Sequence, residues 1–315
     1  MIETSLSDHT TPAVLALDVG GTKLEAGVVA PGGAVLARRR VPTGDGDEQQ
    51  LFAAVVELLR GVLGESGVPV AAIGVGCGGP MSGPAPDDPG AGAATVSPLN
   101  IGAWRDFPLG PRLAEEFGVP VRVDNDAKAL ALAEGSLGAA GGVDDFLAMV
   151  VSTGVGGGIV LDGRLLDGAM GNAGHIGHLV VDPLGRPCVC GARGCLEAQV
   201  SGTAIAEITG RPAAEAPLAL RRHSGRLVGR AVGSVCNLLD LRLAVLAGSV
   251  AIGFGEPFLE EARSELARVA RLEFSRGAEI RIGGLGADGP LLGAAEVGLL
   301  RVRDQGGAGS GIGNG

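Results

Sequence analysis

The chain has 315 residues, a formal net charge of -10, 46% apolar residues and only 3% aromatic ones, a length that suits two domains of ordinary size. The acidic balance argues against non-specific binding to nucleic acid or an anionic membrane, and no apolar run reaches the ~20 residues of a membrane span. With 57 glycines and few rings, the core must be built from Ala, Val and Leu, and the backbone must turn tightly, as it does around a small-molecule ligand.

Residues 1–6 are polar and lack the basic start and apolar centre of a signal peptide, which implies the cytoplasm, and residues 1–12 read as a disordered lead. Residues 13–17 are an apolar strand running into Asp18-Val19-Gly20-Gly21-Thr22-Lys23, residues 24–29 continue apolar, and Pro31-Gly32-Gly33 turns into a third strand at 34–41. The result is a β-meander with a carboxylate at its first turn. Asp47 caps a helix to about Gly64, with Leu51, Val55, Leu58, Leu59 and Val62 on one face.

Residues 71–75 are a buried strand leading into Gly76-Cys77-Gly78-Gly79-Pro80. The Pro-, Gly- and Asp-rich stretch 80–97 has too few apolar residues to pack, so it lies over a site or moves, and Ser97-Pro98-Leu99-Asn100 closes it. A helix at 109–117 and a strand at 119–123 follow. Asp124-Asn125-Asp126 stands where that strand passes into a helix at 127–137, at the carboxyl end where open α/β sheets bind ligands.

The second half repeats the opening: an apolar strand at 146–151, a glycine turn from Ser152-Thr153-Gly154 through Gly156-Gly157-Gly158, a strand at 159–161 and the Asp162-Gly163 hairpin. Two domains on one plan, facing each other across a cleft, are the simplest reading of this recurrence. After residue 197, helices are expected near 201–209, 226–240, 256–274 and 291–303, with strands at 244–246 and 279–282; residues 304–315 read as a disordered tail.

Residues 173–197 place His178, Cys188, Cys190 and Cys195 with nine, one and four residues between successive members. One nitrogen and three thiolates close a tetrahedral Zn²⁺ site with no position left for water, so the metal is expected to be structural. The competing readings are free cysteines in a loop or a disulfide, the latter leaving one of the three unpaired. Cys77 and Cys236 read as core thiols.

Each glycine turn after a buried strand exposes backbone N–H groups that can bind phosphate oxygens. Each also carries hydroxyls: Thr22 in the first, Ser152 and Thr153 in the second. Asp18 reads either as a water-mediated holder of Mg²⁺ or as a cap on its turn. Asp126 reads either as a general base taking a proton from an attacking hydroxyl or as a helix N-cap.

Taken together, the turn at 18–23, Asn125-Asp126, the glycines at 154–158, and above all His175-Ile176-Gly177-His178 followed by the three cysteines and Glu197 resemble the ROK family of sugar kinases and repressors over residues 15–295. The resemblance implies an α/β, actin-like (ribonuclease H-like) pair of domains with a cleft between them, at 13–124 and 125–290, the helix at 291–303 packing back on the first. It implies transfer of the γ-phosphate of ATP to the 6-hydroxyl of a glucose-type hexose or amino-hexose such as 3-amino-3-deoxyglucose. Asp126 would be the base; Gly79, Asn100, Asn125, His175, His178 and Glu197 would surround the sugar. Asp18, Gly20, Gly21, Thr22, Lys23, Ser152, Thr153, Gly154 and Gly156 would serve Mg²⁺ and phosphates, and Gly248 with Ser249 the adenosine. The resemblance also implies a homodimer.

His175 stands where glucokinases of the family carry Glu. A carboxylate only accepts hydrogen bonds whereas imidazole donates or accepts, and His at this position, also found in the family's N-acetylmannosamine kinases, keeps that sugar in play beside the reading of a tolerated swap. With 17 residues ahead of Asp18 and an acidic charge, the DNA-binding module of the family's repressors is not expected. A non-catalytic sugar-binding protein is the remaining alternative.

Overall fold

The computed structural model describes residues 12–84 and 88–308. Strands β1 (Ala13–Val19), β2 (Lys23–Val29) and β3 (Val35–Pro42) form the antiparallel meander, and β4 (Val70–Cys77) and β5 (Val121–Asn125) join in parallel to give the order β3-β2-β1-β4-β5. The second sheet contains β6 (Phe146–Val151), β7 (Val155–Leu161), β8 (Arg164–Leu165), β9 (Leu243–Ala247) and β10 (Glu279–Ile282) in the order β10-β9-β6-β7-β8. Both sheets follow one path: a meander, then two parallel strands on the far side of its first strand.

Helix α1 (Glu48–Ser66) covers the first sheet with Leu51, Phe52, Val55, Leu58, Leu59 and Val62 buried. Each such side chain contributes roughly 1.5–3 kcal/mol on burial. Its start is a capping box: Asp47 accepts from the Gln50 N–H at 2.9 Å, and the Gln50 side chain accepts from the Asp47 N–H at 3.0 Å. Asp47→Ala is expected to cost about 1 kcal/mol in urea unfolding while leaving turnover unchanged; a loss of activity would give this surface cap an unforeseen link to the site.

Helix α2 (Leu109–Phe117) packs on the same core, and α3 (Asp126–Ser136) lies between the sheets. One side of α3, including Ala131, joins Phe146, Ala148 and Val160 of the second sheet, while Ala133 joins the core shared by β1, β4 and the last helix. A helix buried on two sides has no polar face, which the run Ala-Leu-Ala-Leu-Ala at 129–133 satisfies. The second lobe is completed by α4 (Glu197–Val200), α5 (Gly202–Thr209), α6 (Leu218–Leu239), α7 (Ser249–Phe254) and α8 (Glu256–Val269). Helix α9 (Gly289–Ala308) returns to the first sheet, where Leu291, Ala294 and Ala295 meet Val14, Ala16 and Ala72.

Several elements differ from the sequence reading. The last helix continues through 304–308, and the other tail residues, 1–11 and 309–315, lie outside the described residues. The expected helix at 256–274 is α8, which stops at Val269, and the short α7, not expected from the sequence, precedes it across a break at Gly255 with φ 65°. Gly156, Gly157 and Gly158 belong to β7, and the turn is only 152–154. A Cβ at Gly158 would lie 2.6 Å from Ala131 Cβ, and one at Gly156 would lie 2.8 Å from Ala127 Cβ. The glycines therefore let α3 rest against the second sheet.

Glu134 of α3, 1% exposed, accepts from Ala139 N at 2.8 Å and Gly284 N at 3.0 Å. One buried carboxylate thus ties together the two connections through which the chain enters and leaves the second lobe. No helix among the described residues is long and apolar enough to cross a membrane.

Candidate active site

Strand β5 delivers Asn125 and Asp126 to the cleft. Asn125 is the N-cap of α3: its Oδ1 accepts from Ala127 N at 3.0 Å and Lys128 N at 3.4 Å. The cap reading of Asp126 therefore passes to its neighbour. Asp126 is the first helical residue, its carboxyl open to the cleft. The surrounding protein pushes that carboxyl above the usual carboxylate range, partly offset by the Ala127 N–H it accepts at 2.8 Å and by the nearby His175.

The residues that the sequence reading assigned to the sugar are brought together near this point. A Cβ at Gly79 would lie 3.4 Å from Asn125 Nδ2 and 3.5 Å from the His175 ring. With its oxygen spent on the cap, Asn125 turns its amide donors toward the cleft. Gly79 O accepts from Leu99 N at 3.2 Å, and Gly21 abuts Asn100, so Asn100 joins the first glycine turn to the same pocket. Glu197, which opens α4, accepts from Val155 N at 2.8 Å and is felt electrostatically by His175. Burial and His178 together lower His175 below the usual imidazole value.

Asp18 ends β1 and is 6% exposed. Burial, then the charge of Asp126, raise its carboxyl from 3.8 to about 7, with Lys23 and Arg40 opposing. A buried acid so disfavoured as an anion suits a divalent cation, which fits a Mg²⁺ role. Because the folded protein binds this proton more tightly than the unfolded chain, the stability it contributes is full below about pH 4 and is lost as pH rises through about 7. Asp18→Asn is therefore expected to stabilise the ligand-free protein at pH 8 by an amount on the order of 1–3 kcal/mol, read from thermal melts, while abolishing turnover; a variant destabilised at pH 8 would contradict this.

The turn at 20–22 is braced by Thr43, whose Oγ1 donates to Gly20 O at 2.7 Å. Lys23, placed among the phosphate ligands by the sequence, turns its ammonium to Glu25 at 2.8 Å. Glu25 is fully buried and also pairs with Arg38 and Arg40. Across the cleft, Ser152 and Thr153 meet Ser249 and Thr203 around a cavity of about 360 Å³. Ser152 Oγ lies 3.0 Å from Ser249 Oγ, and Thr203 Oγ1 donates to Thr153 O at 3.0 Å. The far end of the cavity is apolar: Ala206, Pro212, Ala213 and Val250. Gly248, at φ 100°, sets the entry to α7.

His178, Cys188, Cys190 and Cys195 offer four ligand atoms all within 4.8 Å of one another. Cys188 Sγ and His178 Nδ1 are 3.7 Å apart, as are Cys190 Sγ and Cys195 Sγ. Ligands ~2.3 Å from one centre define a tetrahedron with an edge of about 3.8 Å, so the set fits Zn²⁺. Burial pushes the Cys195 thiol up to about 12, a proton that a bound cation would displace. His178 directs Nδ1 to the thiols while its ring lies beside His175, centroids 6.1 Å apart.

Sequence reasoning passed over Lys128, 1% exposed, whose ammonium meets Asp124 at 2.9 Å, Asp167 at 2.7 Å and Gly171 O at 3.2 Å. It ties the end of β5, just ahead of Asp126, to the segment leading to His175. The signal was a lone cation in an otherwise Ala- and Leu-rich helix. Asn172 does the same from the other side, exchanging hydrogen bonds of 3.1 and 2.8 Å with the Met81 backbone.

Two like-built lobes with acids and glycine turns in the cleft define the actin-like fold. The ROK family model matches residues 14–299, and the chain belongs to the ROK family. An N-acetylmannosamine kinase of Citrobacter koseri is 35% identical over 81% of this chain and 89% of its own length. Among solved structures, a ROK hexokinase from Thermus thermophilus superimposes with a TM-score of 0.80 at 36% identity, covering 93% of this chain and all of that one. A ROK glucokinase from Streptomyces griseus, in complex with glucose and AMPPNP, gives 0.76 at 29% identity, over 91% and 99% of the two chains.

Proposed function

We propose that the protein is an ATP-dependent sugar kinase that transfers the γ-phosphoryl group to the 6-hydroxyl of a hexose or amino-hexose, with Asp126 as general base. The observation that carries this reading is the position of Asp126: open to the cleft, freed from capping by Asn125, with Gly79, Asn125 and His175 on one side and Asp18 on the other. Asp126 takes the hydroxyl proton as the oxygen attacks, Asn125 and Asn100 orient the ring, and backbone N–H groups of the turns at 20–22 and 152–154 receive the phosphate oxygens. Mg²⁺ held near Asp18 would neutralise developing phosphate charge, and Zn²⁺ in the Cys3His set would hold His175 and Glu197 in place. The protein acts in the cytoplasm as a homodimer.

Glucose and amino-substituted glucose are the first reading of the sugar. N-acetylmannosamine is the second, favoured by His175, because an imidazole can donate to an acyl oxygen and a carboxylate cannot, and by the Citrobacter koseri relative. An ADP-release assay across glucose, 3-amino-3-deoxyglucose and N-acetylmannosamine is expected to show one sugar at least about tenfold ahead in kcat/KM, as one pocket contact can provide. Sugar binding without ADP release from any of the three would make the protein a binder instead of a kinase.

A further inference from the structure

We infer that the nucleotide pocket does not distinguish purine bases, so that GTP and inosine triphosphate serve as phosphoryl donors alongside ATP. This rests on the kinase reading above and concerns the cavity between the 152–154 turn and the starts of α5 and α7. Its phosphate end is set by Ser152 and Thr153, so a nucleotide entering there directs its base toward Ala206, Pro212 and Ala213.

Among the described residues, no side chain lining that end can read a base edge. The lining contains no amide, carboxylate, imidazole or guanidinium group, only hydroxyls and apolar side chains. Two hydroxyls, of Ser152 and Ser249, pair with each other, and that of Thr203 is given to Thr153 O. Of the backbone there, Pro212 has no N–H and its carbonyl accepts from Glu215 N at 2.9 Å, Ala213 O accepts from Ala216 N at 3.0 Å, and Ala206 O accepts from Gly210 N at 2.8 Å, while the Ala213 N–H, at the open start of a 3-10 turn, can serve N3 or N7, acceptors that adenine and guanine share. Adenine and guanine share their π-faces and differ in the edge groups at positions 2 and 6. An apolar cleft binds the shared faces by burial and dispersion. Sites built to hydrogen-bond a substrate reject analogues by about 10⁴-fold or more, whereas apolar pockets discriminate by roughly 10–200-fold at most.

The test is displacement of a ribose-labelled fluorescent ATP from the full chain by ATP, GTP and inosine triphosphate, which needs no knowledge of the sugar. Affinities within about tenfold of one another are expected; GTP or inosine triphosphate weaker than ATP by more than that would overturn the inference, and a gap beyond about 200-fold would require edge recognition. Ala206→Phe, which fills the base end, is expected to weaken all three by at least about tenfold while leaving displacement by inorganic tripolyphosphate unchanged. Purine affinities unaffected by that variant, with tripolyphosphate still bound, would place the base elsewhere and also overturn it. Failure of ATP itself to bind the wild-type protein would instead strike the kinase reading on which the inference stands.

Discussion

Asp126→Asn is expected to lower kcat by about 10³-fold, within the range a positioned general base supplies, with the dissociation constant for sugar changed only a few-fold. The fold has little stake in this carboxylate. Asn125 caps α3, the carboxyl faces the cleft, and the protein around it disfavours its charge. Neutralising it therefore removes a proton acceptor without removing a cap. Steady-state turnover and sugar titration calorimetry on the same preparation separate the two effects; wild-type turnover by the variant would remove Asp126 from the chemistry. In the wild-type protein, kcat/KM should rise with pH along an acid limb lying above the usual carboxylate range, because Asp18 must lose a proton that burial holds on it and Asp126 one that the surrounding protein favours.

Disrupting the proposed Zn²⁺ site is expected to have the second largest effect, and to fall on one substrate. Metal analysis should find about one Zn²⁺ per chain, and Cys195→Ser or chelation should abolish sugar binding while nucleotide affinity stays within a few-fold. Cys195 is fully buried beside Leu196, in the second-lobe core. His175 stands at one end of the ligand segment and Glu197 at the other, where its carboxylate anchors Val155. The cavity at Ser152, Thr203 and Ser249 shares no residue with the metal ligands. Structural zinc sites contribute folding free energy directly, so a lower melting temperature should accompany the change. A metal-free protein with undiminished sugar affinity would contradict the structural role.

Much of this arrangement was legible in the sequence because the signals are local. The 3.6-residue spacing of Leu51, Val55, Leu58 and Val62 behind Asp47 specified α1 and its cap. The recurrence of strand, turn and strand anticipated two sheets of one topology. The spacing of His178, Cys188, Cys190 and Cys195 anticipated a cluster whose ligand atoms do meet.

What was missed depends on contacts distant in sequence. The close approach of α3 to Gly156 and Gly158 shows only once the helix is seen lying on the strand. Helices α4 and α7, of four and six residues, are too short for any periodicity to show. Lys128 and Glu134 sit in a helix whose burial on both sides becomes visible only with the two lobes assembled.

The most direct test of the kinase reading is phosphorus NMR of the products formed from ATP and the preferred sugar. The account predicts ADP and an equal amount of sugar 6-phosphate, made by the wild-type protein and absent with Asp126→Asn. A phosphate on another hydroxyl, or sugar bound with ATP intact, would contradict it.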